Sequence, residues 1–149
     1  MNIALGSDLR NELTAALERE LIERGHQVLP FGALADGQRD DWPAVGRAVG
    51  NAVASGACTS GIACCWTGTG VSIAANKVAG VRAALCGDAA TAAGAREWND
   101  ANVLCLSLRT VSVPLAREIL DAWFAGGPTS DPTYRRMIDE IATGEHTPS

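Results

Sequence analysis

Residues 63–77 read ACCWTGTGVSIAANK, a small apolar run, two glycines spaced among threonines, then an alanine-rich stretch from about Val71. This order of residue types asks for a strand, a tight turn over Thr67, Gly68, Thr69 and Gly70, and a helix. A helix that starts directly after a strand presents free backbone N–H groups at the carboxyl edge of the sheet, where its dipole favours an anion. Cys65 closes the apolar run, so a thiol stands at the mouth of that cradle. Two readings are open from these residues alone. The glycines also serve a plain α/β turn, where a helix packs closely on a strand, and cysteine is a common small core residue. Neither a GxxxxGK[ST] loop nor a full GxGxxG fingerprint is present.

The same alternation runs through the chain. Strands are expected over 2–6, 27–31, 60–65, 81–86 and 103–106, and helices over 11–24, 43–54, 71–77, 88–97, 113–124 and 131–141. Ser7-Asp8 marks a turn after the first strand, 33–41 a polar loop, and Pro43 the first turn of the second helix. Gly126-Gly127-Pro128 breaks the chain before the last helix, and the tail over 144–149 is expected to be loose. The expectation is one α/β domain over 1–149, a three-layer αβα Rossmann-like (flavodoxin-like) sandwich around a five-stranded parallel sheet. Ligands of such sheets sit outside the carboxyl ends of the strands, where the strand order reverses. Those ends are Ser7-Asp8, 65–70, Gly87-Asp88 and 107–109.

Composition narrows the function classes. A chain of 149 residues with 47% hydrophobic but only 5% aromatic residues suits a core rich in alanine and valine. A net charge of −5 argues against a nucleic-acid partner. No apolar run approaches a membrane span and the N-terminus has no signal-peptide pattern, so a cytoplasmic location is expected. The five cysteines, Cys58, Cys64, Cys65, Cys86 and Cys105, form no CxxC, and His26 and His146 are isolated. Neither a zinc site nor a disulfide framework is expected.

The segments IALGSD, RGHQVLPFG, DDWPAVGRAVGNAVASG, GTGVSIAANKVAGVRAALCGDAATAAGAREWNDANVLCLSLR and EILDAWF together resemble the ribose-5-phosphate isomerase B family, which also contains the galactose-6-phosphate isomerase subunits. The resemblance covers residues 1–124. It implies interconversion of an aldose phosphate and a ketose phosphate through a cis-enediol, with no metal or organic cofactor. It also implies a homodimer or a dimer of dimers whose pocket lies between subunits.

The resemblance places the catalytic cysteine at Cys65. Other members carry a carboxylate base six residues on, which is Val71 here. A helix N-terminus favours thiolate over thiol, and Thr67, Gly68, Thr69 and Gly70 of the turn, with Ser72, are the expected donors to thiolate or oxyanion. Cys64 should face the other side of the strand as a core residue. Asp8 matches the aspartate that holds substrate hydroxyls, and Ser-Asp before a helix is otherwise an N-cap. Asn99 matches a residue on the substrate oxygens, or caps a loop. Arg109 matches an arginine implicated in phosphate binding, and Arg135 and Arg136 fall where the family has C-terminal phosphate-binding arginines. Each of these arginines also reads as a surface charge.

The departures are specific. The usual serine-aspartate-histidine-alanine-glycine start is Ser7-Asp8-Leu9-Arg10-Asn11, so the phosphate-side histidine is absent and Arg10 is a candidate replacement for its charge. Trp98 stands where the family has its ring-opening histidine. Trp66 replaces the glycine after the cysteine, and Trp42 the tyrosine of an aspartate-tyrosine-proline motif. The three tryptophans are expected to wall a smaller, more apolar pocket rather than fill core gaps. An indole donates a hydrogen bond but does not titrate usefully, so ring opening should be impaired. The reading is an aldose–ketose isomerase with a cysteine base acting on a small sugar phosphate, with an open-chain tetrulose phosphate as the named candidate. The alternatives are ribose-5-phosphate isomerase proper and a non-catalytic sugar-phosphate binder.

Overall fold

A computed structural model describes residues 1–143. Five parallel strands, β1 (Asn2–Ser7), β2 (Gln27–Gly32), β3 (Ser60–Cys65), β4 (Ala83–Leu85) and β5 (Val103–Ser107), form one sheet in the order β2-β1-β3-β5-β4. The helices are α1 (Glu12–Glu23), α2 (Trp42–Ala54), α3 (Thr69–Asn76), α4 (Ala89–Asn99), α5 (Val113–Ala125) and α6 (Pro132–Thr143). The architecture is α/β with a fully parallel sheet, and its order departs from the flavodoxin order 2-1-3-4-5 only in the last two strands. Here β5 lies between β3 and β4.

The three central strands are buried on both faces. Ile62 and Cys64 of β3 join Ile3 and Leu5 of β1 and Leu104 and Leu106 of β5 under Leu17 and Leu21 of α1, Ala92 of α4, and Ile119 and Trp123 of α5. Ala63 and Cys65 join Ala4 and Cys105 on the opposite face under Val45 and Val49 of α2 and Val71 and Ala75 of α3. The split follows from the period of two along a strand. Small residues on the second face let α2 and α3 come close, and a Cβ on Gly46 would lie 2.6 Å from Ala74.

Several element ends differ from the sequence expectation, each for a local reason. Helix α1 is capped by Asn11, whose side chain accepts from Thr14 N–H while Thr14 Oγ1 accepts from Asn11 N–H. Asp8 is therefore not the N-cap. Helix α3 starts at Thr69, two residues early, because Gly68 adopts a left-handed conformation as its N-cap. Helix α4 runs on to Asn99 and is closed by Asp100, the one non-glycine residue with positive φ among the described residues. Trp98 and Asn99 are thus helical rather than in a loop. Strand β4 is shortened to Ala83–Leu85 because side chains take over the ladder: Asn76 brackets the Ala83 backbone with two hydrogen bonds, and Arg82 N–H donates to Asn102 Oδ1. The expectation of a loose tail over 144–149 lies outside the described residues.

Candidate active site

The strand order reverses between β1 and β3, whose carboxyl ends lie side by side, Ser7 opposite Cys64. A cavity of about 360 Å³ opens there, lined by Asp8, Trp42, Cys65, Trp66, Thr67, Thr69, Gly70 and Ile73. Cys65 ends β3 and is 4% exposed, at the floor of this cavity. Its carbonyl accepts from Leu108 N–H at 3.0 Å, and the Trp66 carbonyl accepts from Arg109 N–H and Ser107 Oγ at 3.1 and 2.9 Å. The strand-to-turn junction is thereby pinned to the end of β5, which fixes where the thiol stands.

The turn after Cys65 depends on glycine. Gly68 has φ +76°, and a Cβ there would sit 2.6 Å from Leu85 and 2.9 Å from the Leu106 backbone. Asn11, Asp41, Asp88 and Ser112 cap their helices through side chains, whereas Gly68 has none to offer. The first-turn N–H groups of α3 therefore keep no side-chain acceptor, and they stand beside the cavity that holds Cys65. Thr67 and Thr69 share a hydrogen bond between hydroxyls at 2.7 Å above it. Ser72 does not line the cavity, because its hydroxyl is hydrogen-bonded to Cys105 inside the sheet–helix interface.

Asp8 lines the same cavity as Cys65. Its backbone N–H donates to the Cys64 carbonyl at 3.3 Å, and its Oδ1 is buried with no partner. Burial pushes its carboxyl above the usual carboxylate range, a backbone hydrogen bond opposes this, and the charge of Asp40 adds to it. A buried carboxyl oxygen without a partner is costly unless something else binds it. Burial also drives the Cys64 thiol far above its ordinary range. Cys64 lies in the opposite core layer and does not reach the cavity.

The other singled-out residues lie elsewhere within one chain. Arg109 shares a neighbouring cavity of about 310 Å³ with Thr67, Cys86 and Ser107, on the far side of the glycine turn. Trp98 and Asn99 line a groove beside α4. The Trp98 indole folds back over Gly94 and stacks on Tyr134 of α6, with ring centres 6.4 Å apart. Arg135 and Arg136 are exposed on α6, and Arg10 is exposed in the turn after β1. Of the three tryptophans expected around one pocket, only Trp42 and Trp66 wall the cavity at Cys65. Thr69, expected as part of the turn, and Ile73, which escaped the sequence reading, complete that wall. The helical step from Gly70 to Ile73, three residues on one face, is the signal that would have found Ile73. Among the described residues, no group of three or more His, Cys, Asp or Glu stands together as a metal site.

A parallel α/β sheet with a cavity at its switch point, lined by a thiol, a carboxyl and a helix start without a side-chain cap, has the layout of an enzyme that takes a small molecule. The chain belongs to the ribose/galactose isomerase family, whose model matches residues 3–141. It is 42% identical to ribose-5-phosphate isomerase B of Escherichia coli, over 96% of this chain and 95% of that protein. It is 36% identical to D-erythrulose-4-phosphate isomerase of Pectobacterium atrosepticum, over 98% and 96%. Among solved structures, ribose-5-phosphate isomerase B of Clostridium thermocellum superposes with a TM-score of 0.87 at 38% identity, covering 96% of each chain. The Mycoplasma genitalium enzyme with bound ribulose-5-phosphate superposes with a TM-score of 0.84 at 32% identity, over 96% of this chain and 94% of that one.

Proposed function

We propose that this sugar-phosphate isomerase interconverts an open-chain aldose phosphate and its ketose through a cis-enediol, with Cys65 as the base. The observation that carries the reading is that Cys65 and Asp8, whose Oδ1 is buried without a partner, line one small cavity at the sheet's switch point. The thiolate takes a proton from the carbon beside the carbonyl and returns it to the neighbouring carbon. The developing enediolate oxygen is met by N–H groups at the start of α3 and by the threonine hydroxyls. Asp8 binds a substrate hydroxyl, which satisfies its buried oxygen. Within one chain the cavity has no cation in its lining. A homodimer in which the neighbouring chain supplies Asn99 and an arginine to hold the phosphate completes the site.

The substrate that fits these residues is a tetrulose phosphate. With Trp98 in place of a titratable ring, nothing at that position opens a furanose, and a four-carbon 4-phosphate has no such ring to open. The relative named for D-erythrulose-4-phosphate supports this choice. The relative named ribose-5-phosphate isomerase B supports ribose 5-phosphate as a second reading. Measuring kcat/KM on D-erythrulose 4-phosphate and ribose 5-phosphate, with solvent-deuterium incorporation into product, decides between them. The tetrulose phosphate is expected to be favoured and to acquire deuterium at the carbon next to the carbonyl. A wild-type preference for ribose 5-phosphate overturns the open-chain reading, and turnover without any exchange in either direction argues against the enediol.

A further inference from the structure

The structure separates two tasks that the sequence assigns jointly to the tryptophans. We infer that Trp42, seated on Gly70, is the chain-length determinant of the Cys65 cavity, a role distinct from that of Trp98. This rests on the isomerase reading for its substrate class. Trp42 is the first residue of α2 and 45% exposed, and its indole packs against α3. A Cβ placed on Gly70 would lie 2.7 and 2.8 Å from Trp42 Cδ2 and Cε3, so the ring rests directly on the glycine backbone. The backbone under Trp42 is held as well. Asp41 Oδ1 accepts from Ala44 N–H at 2.9 Å, Asp41 Oδ2 pairs with Arg39 at 2.6 Å, and Pro43 follows.

Trp66, 56% exposed, forms an outer lip, and Ile73, 60% exposed, continues the apolar wall one helical turn beyond Gly70. Together with the partly buried Asp8, these side chains line a cavity of about 360 Å³, near the small end of ligand sites. A sugar phosphate with its reacting carbons at Cys65 must pass its remaining hydroxylated carbons along this wall. Each added hydroxymethyl unit then meets apolar surface that offers it no hydrogen bond. Within one chain Trp98 is outside this lining, in the groove beside α4.

The test uses aldonate phosphates of four, five and six carbons at neutral pH, where their ionised carboxylates keep them open and mimic the enediolate charge. Their Kd values are measured for wild type, Trp42→Ala, Trp42→Phe and Trp98→His, with kcat/KM on the matching sugar phosphates alongside. Affinity of wild type is expected to fall about tenfold or more per added carbon, the scale of a one-carbon mismatch. Trp42→Ala should flatten that series at least about tenfold between four and six carbons. Trp42→Phe, which keeps a ring on Gly70 and guards against a folding defect, should flatten it in part. Trp98→His should move the series less than Trp42→Ala does. A series unchanged in both Trp42 variants, or one moved by Trp98→His instead, overturns the assignment. If wild type turns over no sugar phosphate but still binds aldonates with a Trp42-dependent length limit, the isomerase reading fails and the length determinant stands. Failure to bind any of the three aldonates defeats both.

Discussion

At the scale of single residues, two adjacent cysteines have opposite fates. Cys65 meets the cavity, and Cys64 sits in the other core layer with its thiol held protonated by burial. Cys65→Ser is expected to lose at least about 100-fold in kcat, the scale of acid–base catalysis, with little change in a urea melt. Cys64→Ser should behave in reverse, because a serine hydroxyl at a fully buried site without a partner costs about 1–3 kcal/mol. Near-normal kcat in Cys65→Ser would remove the base from that position. Asp8 gives a pH signature. Its folded-state carboxyl holds its proton more tightly than an ordinary carboxyl of 3.8, chiefly through burial. Its contribution to stability is therefore fully present below pH 3.8 and is lost as pH rises through the folded value. Asn at this position does not titrate. Asp8→Asn and wild type should therefore show parallel stability at low pH and diverge above it, the variant becoming the more stable while losing activity. Denaturant melts across pH 3 to 8 read this, and parallel curves throughout would show that the carboxyl is not strained in the folded protein.

At the scale of elements, the β3–turn–α3 unit is the part on which the site depends most. Gly68→Ala forces a left-handed residue and drives a Cβ into Leu85 and the β5 backbone. A loss of about 1–3 kcal/mol from the backbone strain alone is expected, together with reduced turnover, since the N–H groups of α3 would be re-aimed. An unchanged melt would mean that the turn is not held as described. This unit was legible in the sequence because its signals are local: an apolar run, two glycines and an alanine-rich helix. The lengths of β4 and α4 were not, because they are set by side-chain contacts between element ends, those of Arg82 with Asn102 and Asp100 reaching well beyond either segment. Asn102 and Asn76 take over the backbone of Arg82 and Ala83, and Arg82 and Arg96 both pair with Asp100 at the left-handed end of α4. Asp8 was ambiguous for a related reason. Ser-Asp before a helix reads as a cap, and only the Asn11–Thr14 capping box three residues later frees the carboxyl. Packing of Trp42 on Gly70 joins two helices and has no trace in either segment alone.

At the scale of the whole molecule, the residues singled out in the sequence lie in separate places. Cys65 and Asp8 share one cavity, whereas Asn99 and Trp98 line another groove and Arg135 and Arg136 project from α6. The surface around that second groove is apolar for a region that carries arginines, with Leu85, Trp98, Tyr134, Met137 and Ile141 all substantially exposed. Contiguous apolar surface of this kind marks an interaction site. A two-fold dimer that brings this surface of one protomer against the Cys65 cavity of its partner would cover it and complete two sites at once. Complementation tests this directly. Cys65→Ser and Asn99→Ala are each expected to be nearly inactive alone. Mixed, unfolded and refolded together, they should recover about one quarter of wild-type activity, because half of randomly paired dimers carry one site with neither substitution. Sites built within a single chain would recover nothing, since every site would then retain one of the two lesions. Light scattering on the wild type at micromolar concentration accompanies the experiment. A fully active monomer would confine the chemistry to one chain, and the phosphate would then have to be held by Arg109 through the cavity that shares Thr67 with the Cys65 site.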